Sequence, residues 1–258
     1  MRSVLLFDLD DTLVVEEAAA ASAFAATAQV ASTAHELEPQ SLALVARERA
    51  RQLWHASATH PYCRRIGMSS WEGLWCRFEG HDPNVRQLRK WSATYRLQTW
   101  QLALNDQGVD DIELARELGE RFGQERRKRH ETFADAVTCL ERLGDTHTLA
   151  LVTNGACCLQ REKLMASGLS EHFELVVISA QLGFGKPDVR IFEHVLSQLD
   201  CDAQNAVMIG DSLHRDVDGA LAAGLRGVWV NRHGHPRPED RPDLVEVSAL
   251  SDLQAALG

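Results

Sequence analysis

The apolar tetrad Val4-Leu5-Leu6-Phe7 runs straight into Asp8-Leu9-Asp10-Asp11-Thr12, and that junction restricts the fold more than any other stretch of the chain. A continuous apolar run with β-branched and aromatic members is the pattern of a strand covered on both faces, as in a parallel sheet flanked by helices. Three acids directly behind it would repel one another and lose solvation in a dry core. They fit the carboxyl end of such a strand, where open parallel sheets place their ligand crevices. An oxygen-rich acidic site there suits a hard cation such as Mg²⁺. A second reading, a solvated turn that caps a helix through Asp11 or Thr12, fits the same residues.

Three later junctions repeat the pattern. Thr148-Leu149-Ala150-Leu151-Val152 reads as a buried strand and ends in Thr153-Asn154-Gly155, a hydroxyl and a relaxed backbone able to donate to phosphate oxygens. Leu175-Val176-Val177-Ile178 is followed by Gly183-Phe184-Gly185-Lys186-Pro187-Asp188, where Pro187 and Asp188 suit the opening of a helix from Val189 to Leu199. Ala206-Val207-Met208-Ile209 leads into Gly210-Asp211-Ser212-Leu213-His214-Arg215-Asp216. Four strand-to-loop junctions therefore carry polar chemistry.

Taken in order, Asp8-x-Asp10-x-Thr12, Thr153, Lys186 in Gly-Lys-Pro-Asp, and Gly210-Asp211 with Asp216 resemble the four motifs of the haloacid dehalogenase superfamily. The resemblance covers residues 1–14 and roughly 131–258. Within it, Thr153-Asn154-Gly155 with Gln160-Arg161-Glu162-Lys163-Leu164 looks like the sialic acid 9-phosphate (N-acylneuraminate-9-phosphate) phosphatases and related small-molecule phosphatases. Residues 160–164 also read as an amphipathic helix facing solvent.

The resemblance implies a doubly wound, Rossmann-like α/β core with a parallel sheet, and a helical (C1-type) cap inserted after the first strand. It implies a Mg²⁺-dependent phosphatase acting on a small phosphorylated metabolite. Asp8 would be the nucleophile that forms an aspartyl-phosphate, and Asp10 the acid that protonates the leaving oxygen and then the base that activates water. Mg²⁺ would be held by the Asp8 carboxylate, the Asp10 backbone carbonyl and the Asp211 carboxylate. Asp216 would orient Lys186 or a metal-bound water. Thr153 and the amides of Asn154 and Gly155 would bind the phosphoryl group, and Lys186 would supply counter-charge. Thr12 would order the loop. Of four lysines, Lys90, Lys128, Lys163 and Lys186, only the last stands in a Gly-rich loop, where a compact point charge suits phosphate. A dehalogenase would share the Asp8 nucleophile but need no acid at Asp10, whereas a phosphomutase would return the phosphoryl group to substrate. A non-catalytic binding module would be expected to lack a catalytic group, and none is missing.

Between Asp11 and His130 strand-like runs disappear, and alanine, leucine, arginine and glutamate dominate. Helices are expected over 16–32, 39–57, 70–79, 83–105 and 110–129. The cap is thus placed at 15–130 and the core at 1–14 and 131–258, with hinges near 14–15 and 129–131. Trp54, Trp71, Trp75, Trp91, Trp100, Tyr62 and Tyr95 fall in the cap, with packing as the default reading and a substrate pocket as the other. The break His60–Ser69 is the candidate specificity loop, with Arg64 and Arg65 either pairing with a substrate carboxylate or second phosphate, or simply solvated. His214, inside the fourth junction, reads as facing solvent or as touching substrate or Asp211.

A formal charge of -10 disfavours a nucleic-acid partner. The first apolar run is too short for a secretory signal or membrane span, so no membrane association and a cytoplasmic location are expected. The expected state is a monomer or weak homo-oligomer. The six cysteines, Cys63, Cys76, Cys139, Cys157, Cys158 and Cys201, show no zinc spacing and read as reduced thiols.

Overall fold

Six parallel strands lie side by side in the computed structural model, which describes residues 3–257. They are β1 (Val4–Phe7), β2 (Thr148–Thr153), β3 (Leu175–Ile178), β4 (Ala206–Gly210), β5 (Arg226–Val230) and β6 (Val245–Val247), in the order β3-β2-β1-β4-β5-β6. The α/β class and doubly wound sheet are those expected from the sequence. The order reverses at β1, which pairs with β2 on one side and β4 on the other, bringing Phe7 level with both Leu151 and Ile209. The four polar junctions therefore follow four adjacent parallel strands, β3-β2-β1-β4, at one end of the sheet. Edge strand β6 was not anticipated, because three residues in a Pro-rich tail carry too little periodicity.

Alternation explains why the strands read as unbroken apolar runs. Leu5, Phe7, Leu149, Leu151, Val207 and Ile209 bury one face against Ala136, Leu140 and Leu143 of the helix Ala136–Gly144. Val4, Leu6, Ala150, Val152, Ala206 and Met208 bury the other against Ile191, Phe192 and Val195 of the helix Val189–Gln198. At about 1.5–3 kcal/mol per buried aliphatic side chain, both faces contribute to holding the strand ends in register.

The chain divides into two compact units. One takes the chain up to Val15, then Glu131–Gly155 and everything from Gln160 on; the other takes Glu16–His130 and Ala156–Leu159. The outgoing and returning segments run antiparallel in the first unit, where Val15 N–H donates to Glu131 O (2.8 Å) and Phe133 N–H to Leu13 O (3.0 Å).

The second unit is built of α1 (Glu17–Ala34), α2 (Pro39–Ala56), α3 (His60–Ile66), α4 (Ser70–Trp75), α5 (Pro83–Asp106) and α6 (Ile112–Arg127). Its helix starts carry their own caps: Glu38, Asp82 and Asp111 accept from the first-turn amides of α2, α5 and α6, and Ser69 with Glu72 closes a capping box on α4. Aromatic residues fill the interior. Phe24 packs on Phe122 with ring centroids 4.4 Å apart, and Trp54, Trp91 and Tyr95 form a three-ring cluster. Trp54, Trp75, Trp100, Tyr62 and Tyr95 are buried, while Trp71 and Trp91 are half-buried. Gly73 makes room for Trp54, whose ring would lie 2.3 Å from an added Cβ.

The segment read as a specificity loop is instead mostly helix. Pro61 is tolerated in the first turn of α3, where its missing N–H has no intrahelical partner, and Gly67 ends the helix at φ 70. The Pro and Gly were end signals of one short helix. Arg64 and Arg65 are exposed on its last turn, with Arg65 5.9 Å from the Tyr62 ring centroid. All six cysteines are free thiols. Cys76 and Cys158 approach to 3.5 Å, and the bond from Cys76 draws the Cys158 thiol down to about 6. Among the described residues no helix is long and apolar enough to cross a membrane.

Candidate active site

Asp8 stands one residue past β1, fixed by its N–H donating to Ile209 O (2.9 Å). Its Oδ1 accepts from Leu9 N–H (2.8 Å) and lies 2.8 Å from Lys186 Nζ. The same ammonium is 2.6 Å from Asp216 Oδ1, and the Lys186 side chain is 1% exposed. Burial alone would drive the Lys186 pKa down, but Asp216 and Asp8 together outweigh it and hold the amine above its ordinary value. Burial raises the Asp8 carboxyl, against the pull of Lys186.

The third acid comes from the end of β4. Asp211 N–H donates to Thr12 Oγ1 (2.9 Å), and Trp229 Nε1 donates to Asp211 O (2.8 Å). Thr12 thus ties the β1 loop to the β4 loop, the ordering part expected of it. Burial first, then Asp8 and Asp216, push the Asp211 carboxyl up to about 8. Its Oδ1 is buried without a hydrogen-bond donor. Oxygens of Asp8, Asp211 and Asp216 lie within 4.8 Å of one another. Asp216 differs from the other two because both its oxygens are engaged, Oδ1 by Lys186 and Oδ2 by Ser212 N–H (2.9 Å). An orphaned carboxylate oxygen in an acid cluster short of positive charge is what a hard divalent cation would satisfy, so these residues fit one.

The β2 junction supplies donors. Thr153 Oγ1 accepts from Gln160 Nε2 (2.7 Å), which leaves the hydroxyl proton for another acceptor. Asn154 clamps the Lys186 loop reciprocally, Nδ2 donating to Lys186 O (2.9 Å) and Oδ1 accepting from Lys186 N–H (2.8 Å). Gly185 permits this approach, since a Cβ there would lie 2.4 Å from Asn154 Oδ1. The Gly155 N–H donates to Ser179 Oγ (2.9 Å), so a phosphoryl oxygen would have to share or displace that bond.

Asp10 is engaged by two residues of the 160–164 stretch, to which the sequence reading gave no role at the site. Gln160 and Lys163 are each 1% exposed, and both reach Asp10 from the helix Cys157–Ala166. The lysine-poverty argument applied to Lys186 held equally for Lys163 and would have found it. A second missed group is Arg215, close enough to the acid cluster to feel its charge. Burial opposes its charge, yet Asp8, Asp216 and Asp211 outweigh it and raise its pKa. His214 points away, 78% exposed and 3.8 Å from Asp218.

A family model described as haloacid dehalogenase-like hydrolase matches residues 3–224. The phosphoserine phosphatase of Thermus thermophilus is 37% identical, over 93% of this chain and 94% of its own length. The N-acylneuraminate-9-phosphatase of Mus musculus is 33% identical, over 63% of this chain and 67% of its own. Among solved structures, the magnesium-bound YfnB of Bacillus subtilis matches with a TM-score of 0.65 at 23% identity, covering 100% of this chain and 99% of that one. With its acid-bearing strand ends assembled on a parallel sheet and a family match over most of its length, this chain belongs to the haloacid dehalogenase-like hydrolases.

Proposed function

We propose that this chain is a Mg²⁺-dependent phosphoric monoester hydrolase that works through an aspartyl-phosphate on Asp8. The observation that carries the reading is the meeting of Asp8, Lys186 and Asp211 at neighbouring strand ends, with Asp10 alongside on the β1 loop. A carboxylate approaching a phosphate dianion meets repulsion of about 4 kcal/mol per pair of unit charges at 4 Å and an effective dielectric of 20, so positive charge must be built in. Lys186 provides one such charge, touching the Asp8 oxygen itself.

The Asp8 and Asp211 carboxylates, with the Asp10 carbonyl, are the groups that would hold Mg²⁺. Bound there, it would neutralise the acid cluster and the phosphoryl oxygens. Asp8 attacks phosphorus in line, and the ester oxygen departs with a proton from Asp10. Ionised Asp10 then takes a proton from water, whose oxygen displaces Asp8 and releases inorganic phosphate. Thr153 Oγ–H and the Asn154 amide donate to the transferring group. Asp216 acts through Lys186, holding the ammonium against Asp8.

Asp10 favours ester hydrolysis over dehalogenation, because halide leaves without a proton whereas an alkoxide needs one. For substrate we favour a small phosphate monoester, with O-phosphoserine tested first. The phosphoserine phosphatase relative matches through the helical unit as well as the core, whereas the mouse N-acylneuraminate-9-phosphatase covers only 63% of the chain. Arg64 and Arg65 remain proposed contacts for a second anionic group on the substrate, and a cytoplasmic site of action accords with such a metabolite. Phosphate release across O-phosphoserine, N-acylneuraminate 9-phosphate, glyceraldehyde 3-phosphate and pyrimidine nucleotides, with Mg²⁺ and with chelator, tests the reading. Turnover requires metal, and Asp8→Asn removes it with the fold intact. A near-normal rate in Asp8→Asn overturns the nucleophile assignment.

A further inference from the structure

Asp10 accepts from two donors carried on one helix. Lys163 Nζ lies 2.9 Å from Asp10 Oδ1 and 3.0 Å from Oδ2, so the ammonium straddles the carboxylate. Gln160 Nε2 donates to the same Oδ2 at 2.9 Å and to Thr153 Oγ1 at 2.7 Å, linking Asp10 to the β2 junction through one nitrogen. The two residues are three apart on the helix Cys157–Ala166 and therefore share a face. Asp10 keeps a side-chain exposure of 22%, whereas Lys163 keeps 1%. The charged donor is thus sunk in the protein and its acceptor is left open.

Stability does not account for this arrangement. Burying an ammonium against a carboxylate costs desolvation of both charges, and an apolar side chain of similar length is commonly as good or better at such a position. Gly155 shows how closely the local backbone is fitted to the clamp: at φ +138, an added Cβ would lie 3.0 Å from Gln160 Cδ. What the pair does achieve is a single orientation for Asp10.

We propose that Lys163 and Gln160 are positioning residues that hold the Asp10 carboxylate in the orientation from which it takes the proton of the water that hydrolyses the aspartyl-phosphate. The inference rests on the phosphatase reading and adds to it a division of labour between the half-reactions. Once the proton of Asp10 has gone to the leaving oxygen, these donors hold the carboxylate by both oxygens for the second step. There the water oxygen bonds phosphorus, its proton passes to Asp10, and the phosphorus–Asp8 oxygen bond breaks to leave free carboxylate and inorganic phosphate. Transfer of the phosphoryl group to Asp8 from an activated ester, whose leaving group departs without a proton, makes no demand on the clamp.

The test uses the full chain with Mg²⁺, rapid mixing with p-nitrophenyl phosphate, and acid quench to count protein-bound phosphate. In Lys163→Met the first turnover of p-nitrophenol stays within about threefold of the unaltered protein, steady-state turnover falls about 100-fold, and phosphoenzyme accumulates. Gln160→Leu shows the same split more weakly and covers the case in which Lys163→Met does not fold. Lys163→Arg, which restores a cation, recovers most of the steady-state rate. A parallel fall in both phases without phosphoenzyme, or no change in either, overturns the proposal. If the unaltered protein neither turns over p-nitrophenyl phosphate nor O-phosphoserine, the phosphatase reading fails instead.

Discussion

Gly210 is glycine because Asp216 fills the space where its side chain would go: a Cβ there would lie 2.3 Å from the Asp216 carboxyl carbon. Asp216 cannot yield without releasing Lys186, which it holds at 2.6 Å, and Lys186 in turn contacts Asp8, the proposed nucleophile. One methyl group therefore reaches the chemistry through two ion pairs. Gly210→Ala is expected to destabilise the chain by about 1–3 kcal/mol through overpacking, and to lower kcat more than it raises KM. Urea denaturation and steady-state kinetics on O-phosphoserine check both halves, and an unchanged kcat would detach Asp216 from the site. At this scale the sequence was most legible where a residue type has few other uses, as with Asp8, Lys186 and Asp211 behind apolar runs. Gln160 and Lys163 were left without a role because a polar pair three residues apart on a helix has the same pattern whether it faces water or a carboxylate.

Elements were recovered better in the core than in their details elsewhere. Strands β1 to β4 declared themselves by burial on both faces, and α1, α2, α5 and α6 by composition. The seven residues of α3 were hidden because Pro61 and Gly67, at its two ends, look like loop residues when no periodic stretch is long enough to frame them. The end of α6 shows charge used within one element. Glu125 accepts from Lys128 and Arg129 and lies 3.1 Å from Arg121, and bonds from Lys128 and then Arg129 hold its carboxyl at about 2, below its ordinary 4.5. A depressed acid stabilises the fold above its unfolded pKa and loses that contribution as pH falls through the folded one. Glu125→Gln is expected to cost about 1–2 kcal/mol at pH 7, discounted because its cations are partly exposed, and less than half as much at pH 3. Urea midpoints of the two proteins at both pH values measure it, and a gap that widened in acid would contradict the assignment.

At the scale of the whole molecule, the sheet order makes three distant parts of the sequence into one electrostatic problem. Asp8 from β1, with Asp211 and Asp216 from beyond β4, converge to within 4.8 Å, and Lys186 from beyond β3 lies in direct contact with the cluster as a counter-charge. Burial, then Asp8 and Asp216, raise Asp211 to about 8, so without a cation the folded core carries an acid that resists ionising, and with one it gains a bound ligand. The sequence announced each acid, but their convergence belongs to the pairing of β1 between β2 and β4, which no local pattern specifies. Two opposite effects on stability follow. Metal-free, Asp211→Asn should unfold about 1 kcal/mol later than the unaltered protein, because a neutral amide relieves the repulsion. In Mg²⁺ at about 100 times Kd, the unaltered protein should gain about 2.7 kcal/mol, a rise of about 5 °C or more in Tm, and the variant should gain little of it. Thermal melts of both proteins with chelator and with Mg²⁺ measure the four values. Equal metal-dependent shifts in the two would mean that Asp211 does not hold the cation, and a less stable metal-free variant would mean that the cluster is not under the strain of its own charge.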